Sequence, residues 1–185
     1  MTAAVALFCQ SGYEAASVAQ ICEQAGVSKG AFYHHFPSKQ TLFLSILDEW
    51  LEGIDIQLAN AREAEEPVTQ SLRRMADTIG SVFQVASGQL PMFMEFMVQA
   101  SRDAAVWEAA IAPYHRYQQR FADLIAEGQR EGSIREHIQP QTAAWVLISL
   151  AVGLLLQGVV DPKIADWHLV TRYGVDMLLD SMEKE

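Results

Sequence analysis

Apolar residues recur three and four positions apart along almost the whole chain, and no stretch alternates apolar and polar side chains with a period of two. The first spacing lines one face of a helix and the second would line one face of a strand, so the pattern predicts an all-α protein. The interruptions mark the elements. Gly12 closes a first helix carrying Val5, Leu7 and Phe8. Ser17 precedes VAQICEQA with Gln20 three residues on, the arrangement of a capping box, and Gly26 stops this second short helix. Ser28 caps a third, KGAFYHH, which Pro37 ends because proline disfavours helical geometry at the residue before it. Ser38 caps a fourth helix running from Lys39 towards Arg62. Beyond it the segments lengthen: Pro67 to Ala86, a turn at Gly88 and Pro91, Met92 to Ser101, Asp103 to Glu131 with a bend expected at Pro113, Pro140 to about Val160, and a last helix reaching Met182. The expectation is about nine helices, divided into a small head, residues 1–45, and a larger body, residues 46–185.

Two short helices joined by a tight turn containing glycine form a helix-turn-helix, whose second helix enters the major groove of DNA. Here they are Ser17 to Ala25 and Ser28 to Phe36. Val18, Ile21 and Cys22 on the first, Val27, Phe32 and Phe36 around the second, and Leu7 and Phe8 from the preceding helix supply a small three-helix core. Lys29, Gly30, Ala31, Tyr33, His34 and His35 are left facing outward. Small residues at Gly30 and Ala31 admit close approach of the backbone to DNA, and Tyr33 offers a phenolic donor to a phosphate. Lys39 stands at a helix N-terminus, where the macrodipole disfavours a cation, so an anionic partner is expected for it. His34 and His35 point about 100° apart on a helix and cannot easily share a metal ion.

From Leu7 to Phe43 the string LFCQSGYEAASVAQICEQAGVSKGAFYHHFPSKQTLF resembles the head of the TetR family of transcriptional regulators nearly throughout. The resemblance implies a ligand-responsive, DNA-binding regulator, most often a repressor, with no cofactor and no catalytic residues. Carried over position by position, it implies that Ser17, Tyr33 and Lys39 hold phosphates and that Ser28, Lys29, Gly30 and His34 face base edges or the adjacent backbone. It further implies that a ligand shifts the fourth helix, which links head to body, and so changes the separation of two heads. Family members usually carry a basic arm ahead of the leucine-phenylalanine pair, whereas six residues precede Leu7 here, and contacts from such an arm are expected to be missing.

One such head reads one half-site, so two must be held roughly 34 to 36 Å apart to reach successive major grooves, and a homodimer on palindromic double-stranded DNA follows. The last two helices offer the surface: Trp145, Ile148, Ser149, Val152 and Leu156 on one, Val170, Tyr173, Gly174, Met177 and Leu178 on the other, at helical spacing. The middle helices carry large adaptable side chains, Met75, Ile79, Phe83, Met92, Phe93, Phe96, Met97, Trp107, Tyr114, Tyr117 and Phe121. Of these, Met75, Phe83, Phe93, Met97, Trp107, Tyr114 and Tyr117 are the candidates to line a site for a small, largely apolar inducer; ordinary core is the alternative for each. His115, Arg116 and Arg120 could serve an anionic head group on such a molecule.

Charge and composition limit these functions. The net charge is −10, and residues 1–50 hold two lysines against four acidic residues, so the head cannot grip DNA by bulk charge and must rely on a few placed groups. A helical interaction or ligand-sequestering module with weak or no DNA binding is the alternative that this acidity supports. Ala143 to Val160 is uncharged, but it contains Ser149, Gly153, Gln157 and Gly158 and lacks a basic flank, which favours a helix buried by protein and partly by a second subunit. The N-terminus lacks the charged and apolar regions of a secretory signal, and Cys9 and Cys22 are read as reduced, so the expected location is the cytoplasm. No phosphate-binding glycine loop, nucleophile elbow, HExxH or metal-ligand spacing is present, which argues against an enzyme.

Overall fold

A computed structural model describes residues 1–60, 66–86 and 89–184, with the side chains of residue 58 and residues 79–86 outside the description. Among the described residues there are nine helices: α1 (Thr2–Ser11), α2 (Val18–Ala25), α3 (Lys29–His35), α4 (Lys39–Asn60), α5 (Val68–Ala86), α6 (Leu90–Ala100), α7 (Ala104–Glu131), α8 (Pro140–Val160) and α9 (Trp167–Met182). The caps anticipated from sequence are in place. Ser17 accepts the Gln20 N–H while the Gln20 side chain accepts the Ser17 N–H, closing the capping box on α2. Ser28 accepts from the Ala31 N–H at 3.1 Å, and Ser38 from the Thr41 N–H at 3.1 Å. Gly26 ends α2 with φ +67° in the left-handed region, where a side chain would be strained.

The chain forms two compact units, residues 1–53 with 88–113 and residues 54–87 with 114–185. Pro113 lies inside α7 at the last residue of the first unit. In the first unit Leu7, Phe8, Tyr13, Ile21, Cys22, Phe32, Leu42 and Phe43 pack with Met92 and Phe96 of α6. Its centre is aromatic: Phe43 and Phe96 stack at 4.0 Å, and the Tyr13 ring meets each edge-on at 5.2 Å. Val27, expected in this core, is instead 47% exposed, because it follows Gly26 in the turn and its side chain falls outside the three-helix packing.

The second unit is centred on Val68, Leu72, Met75, Ile125, Ile134, Ala144, Leu147, Val175 and Leu179. Its ends are tied by specific contacts. The Glu131 carboxylate accepts the Val68 N–H at the start of α5, and Arg73 on α5 reaches Asp176, Asp180 and Glu183 at the end of α9. An isolated antiparallel bridge joins Ile134 to Glu183. Gly128 is required by packing, since a Cβ there would stand 2.6 Å from the Ile134 side chain.

α8 is long and apolar enough to cross a membrane by length and composition. In the structure it divides its apolar residues between two faces. Ala143, Ala144 and Leu147 are buried in the unit's core and Leu154 is also buried, whereas Trp145, Val146, Val152, Leu156 and Val160 are exposed.

Candidate nucleic-acid interface

The interface is built on α2 and α3. Of the seven residues of α3 only Phe32 is buried, anchored in the hydrophobic core of the first unit, so the rest of this short helix is presented outward. Lys29, Gly30, His34 and His35 are exposed, and Tyr33 is 52% exposed with its ring edge-on to Phe32 at 5.2 Å. A Cβ at Gly30 would find only the Ser28 hydroxyl, at 3.7 Å, so this end of α3 is open to an approaching backbone. His34 and His35 lie edge to face at 5.1 Å, each part of an exposed surface. Ser17 and Ser28 are both exposed, and each hydroxyl accepts the N–H of its own helix; a hydroxyl retains a proton to donate while it accepts. Ser17 Oγ donates that proton to Gln20 Oε1 at 2.7 Å in the unbound chain.

The structure gives Lys39 partners within the protein itself. Its ammonium donates to three backbone carbonyls, those of Tyr13 at 2.8 Å, Glu14 at 3.1 Å and Ala16 at 2.9 Å, and lies 4.5 Å from the centre of the Tyr13 ring. An ammonium has three donors, and all three are engaged. In the unbound chain the charge is met by partly negative carbonyl oxygens of the turn between α1 and α2. Burial in this site holds the Lys39 pKa below its ordinary value, partly offset by the nearby Glu14 and Glu95 carboxylates. Burial also pushes the Tyr13 phenol up to about 12, with Glu14 adding to the shift.

Glu95 has no counterpart in the sequence reading. Its carboxylate, projecting from α6, accepts the Tyr13 N–H and the Glu14 N–H, each at 2.8 Å and each on its own oxygen. Gly12, with φ +82°, brings the turn so close that a Cβ there would stand 2.8 Å from Glu95 Oε2. The available signal was composition: Glu95 is the single charged residue in LPMFMEFMVQA. Nothing in helical periodicity could have pointed to partners more than eighty residues away.

The expected inducer-lining residues do different things. Met75 is buried in the core of the second unit, and Tyr117 packs partly buried against that core. Phe93 and Met97 pack against the core of the first unit, where Met92 and Phe96 are fully part of it. Trp107 and Tyr114 are exposed, and Phe83 lies outside the described side chains. Arg120 is not open for an anionic head group, since its guanidinium pairs with Asp55 at 2.5 Å. Burial, Asp55 and its hydrogen bond raise the Tyr117 pKa well above the ordinary phenol value. Of the proposed dimer residues, Trp145, Ser149, Val152, Leu156, Val170, Tyr173 and Met177 are all exposed. Leu178 packs instead against the unit's own core, and Ile148 and Gly174 are half-buried.

A two-helix DNA-reading motif on an all-α chain defines a helix-turn-helix regulator. Residues 1–46 match the model of bacterial regulatory proteins of the tetR family, and residues 68–179 match that of the BetI-type transcriptional repressor C-terminal region. The chain belongs to the tetR family of bacterial regulatory proteins. It is 28% identical over 82% of its length, and 76% of the relative's, to the HTH-type transcriptional repressor DhaR of Mycobacterium sp. strain GP1. It is likewise 28% identical to the HTH-type transcriptional regulator UidR of Escherichia coli strain K12, over 84% of its own length and 77% of the relative's. Among solved structures, FadR from Bacillus subtilis in complex with stearoyl-CoA shares the fold with a TM-score of 0.79 at 18% identity, over 98% of this chain and 97% of that one. A SmeT–triclosan complex shares it with a TM-score of 0.80 at 22% identity, over 99% of this chain and 89% of that one. The protein is a DNA-binding transcriptional regulator.

Proposed function

We propose that the protein is a cytoplasmic repressor that binds a palindromic operator as a homodimer and is released from it by a small, largely apolar molecule, which it binds stoichiometrically and leaves chemically unchanged. Residues 1–45 carry DNA binding and residues 46–185 ligand binding and dimerisation. Ser17 and Tyr33 contact phosphates, while Ser28, Lys29, Gly30 and His34 meet base edges or the neighbouring backbone; Lys39 is withdrawn from the phosphate set. The observation that carries the assignment is α3 itself: a helix N-capped by Ser28 with one buried residue and with Lys29, Gly30, Tyr33 and His34 exposed. A helix that buries so little of itself gains stability by docking on something hydrated and charged.

Dimerisation rests on α8 and α9. Trp145, Ser149, Val152 and Leu156 fall on one stripe, and Val170, Tyr173 and Met177 on another, all exposed. A contiguous apolar surface of this kind marks an interface, and an isologous pairing of two helices with their symmetry mates buries it. For the inducer, Met75 and Tyr117 in the second unit are the candidates, with the stearoyl-CoA and triclosan named for two structural neighbours as the precedent for an apolar guest.

One observation favours the second function, a ligand-sequestering module with weak or no DNA affinity. Of the two lysines in residues 1–50, Lys39 is turned onto the protein's own backbone, which leaves the acidic head with Lys29 as its other lysine. Fluorescence-anisotropy titration of the chain against palindromic DNA from its own upstream region, at two salt concentrations, separates the two. Sequence-selective, salt-sensitive binding is expected; equal weak binding to every duplex would establish the sequestering function instead.

A further inference from the structure

The turn between α1 and α2, residues 12–16, is held from two sides. On one side the Glu95 carboxylate of α6 takes the N–H groups of Tyr13 and Glu14. On the other the Lys39 ammonium of α4 takes the carbonyls of Tyr13, Glu14 and Ala16. Between them the Tyr13 ring is wedged edge-on against Phe43 of α4, one helical turn beyond Lys39, and Phe96 of α6, the residue after Glu95. Every hydrogen bond in this clasp is charge-assisted, and such bonds are short, directional and roughly twice as strong as neutral ones. The next residue after the turn is Ser17, the N-cap of α2 and an exposed hydroxyl on the DNA-facing side.

We infer that Glu95 is a positioning residue for operator binding: without touching DNA, it fixes the turn from which Ser17 and α2 depart, and it makes the place of α6 an input to DNA affinity alongside α4. The inference rests on the assignment of Ser17 to a phosphate. The carboxylate suits this task better than a neutral group would. Both of its oxygens accept, so two successive N–H groups are taken by one side chain, whereas a carboxamide in the same place offers one acceptor and sets a donor against the second N–H. Gly12 is part of the device, because a side chain at φ +82° would be strained and its Cβ would meet the carboxylate. The flanking residues Phe93 and Met97 pack against the same unit's core, so Glu95 cannot move independently of the helix that carries it.

The test is a double-mutant cycle on the full chain, with a duplex selected by the wild-type protein from random-sequence DNA. Glu95→Gln is expected to weaken binding by about ten-fold, the effect of losing one charge-assisted hydrogen bond, without changing the dependence of affinity on salt, because no phosphate contact is removed. Combined with Ser17→Ala it is expected to add little to the loss from Ser17→Ala alone, since one acts through the other. Wild-type affinity in Glu95→Gln, or full additivity of the two losses, would overturn the inference. Undiminished binding by Ser17→Ala would instead remove the phosphate role of Ser17 and leave Glu95→Gln to decide alone. A measurement on the wild-type chain needs no variant to fold: exchange of the Tyr13 and Glu14 amide protons should slow when the selected duplex is bound, and unchanged exchange would count against a turn coupled to DNA.

Discussion

The two compact units leave different surfaces open. In the first unit Phe8, Tyr13 and Phe32 turn inward with the stacked Phe43 and Phe96, and α3 leaves Lys29, Gly30, Tyr33, His34 and His35 exposed. The second unit buries the alanine-and-leucine face of α8 and leaves Trp145, Val152, Leu156, Tyr173 and Met177 outside, with Tyr173 66% exposed. A polar, capped helix that buries one residue is made for a partner that brings charge and water. An apolar stripe on two helices is made for one that excludes water, and under the proposed function that partner is a second copy. Each unit therefore advertises the chemistry of its partner in what it fails to bury.

The largest expected effect tests the second surface. Val152→Glu places a carboxylate in the middle of the stripe, and the symmetry of an isologous contact places it there twice. An unpaired buried charge is destabilising by about 3–5 kcal/mol, so the dimer dissociation constant should rise by at least about a hundred-fold. Sedimentation velocity should find monomers at micromolar concentration with the helical circular-dichroism spectrum retained. A dimer as tight as wild type would mean that the stripe faces something else.

The next pair separates the two lysines of the head. Lys29→Ala should lower the slope of log affinity against log salt by about one per head, the signature of a lost cationic contact with DNA. Lys39→Met should leave the slope nearly unchanged but destabilise the chain by about 2 kcal/mol, because three carbonyls lose a charged donor. Salt titrations by anisotropy and urea unfolding read the two effects separately. A slope reduced equally by both would restore Lys39 to the phosphate set.

That pair also shows where the sequence stops being informative. The positions of α1 to α9 follow from the spacing of apolar residues and from Ser17, Ser28, Ser38, Gly12, Gly26 and Pro140, because caps and breakers act within one turn of where they stand. The exposed stripe on α8 was legible for the same reason: a helix apolar nearly all round has more greasy surface than one core can use. The partners of Lys39 and Glu95 were not, since hydrogen bonds across 23 to 82 residues leave no period behind. Phe93 and Met97 were legible as buried but not as belonging to the first unit, because periodicity names the face of a helix and not what it meets. Val27 was misjudged because a β-branched residue beside a glycine turn satisfies the same pattern whether or not the turn carries it inward.

A smaller effect is expected from Arg73, despite its three acidic partners. Its side chain is 29% exposed and those of Asp176, Asp180 and Glu183 are more so, which places the network in water-screened surroundings. Arg73→Met, which retains much of the packing of the stem, should cost about 1 kcal/mol or less and lose even that difference in high salt. Urea midpoints at low and high ionic strength check it. A loss several times larger would mean that α5 and α9 are held by charge, and the second unit would then resemble the clasp of the first more than its apolar stripe suggests.

The smallest effect concerns pH and falls on the first unit. Tyr13 has its phenol pushed up to about 12 in the folded chain, chiefly by burial. The unfolded chain therefore releases this proton first, near the ordinary value of about 10. Stability from this group is fully present below about pH 10 and is lost as pH rises towards 12. Lys39 works in the opposite sense: with its folded pKa held below the ordinary value, the unfolded chain keeps the proton longer, and this group's share of stability rises with pH over that interval. Tyr13→Phe retains the ring between Phe43 and Phe96 and removes only the ionisable hydroxyl. Its urea midpoint should thus fall less than that of wild type between pH 9 and pH 11, and the difference isolates the phenol from the lysine. Parallel decline in both proteins would show that the clasp admits water freely enough for Tyr13 to ionise in place, and that its hold on the turn owes less to burial than to the charges on Lys39 and Glu95.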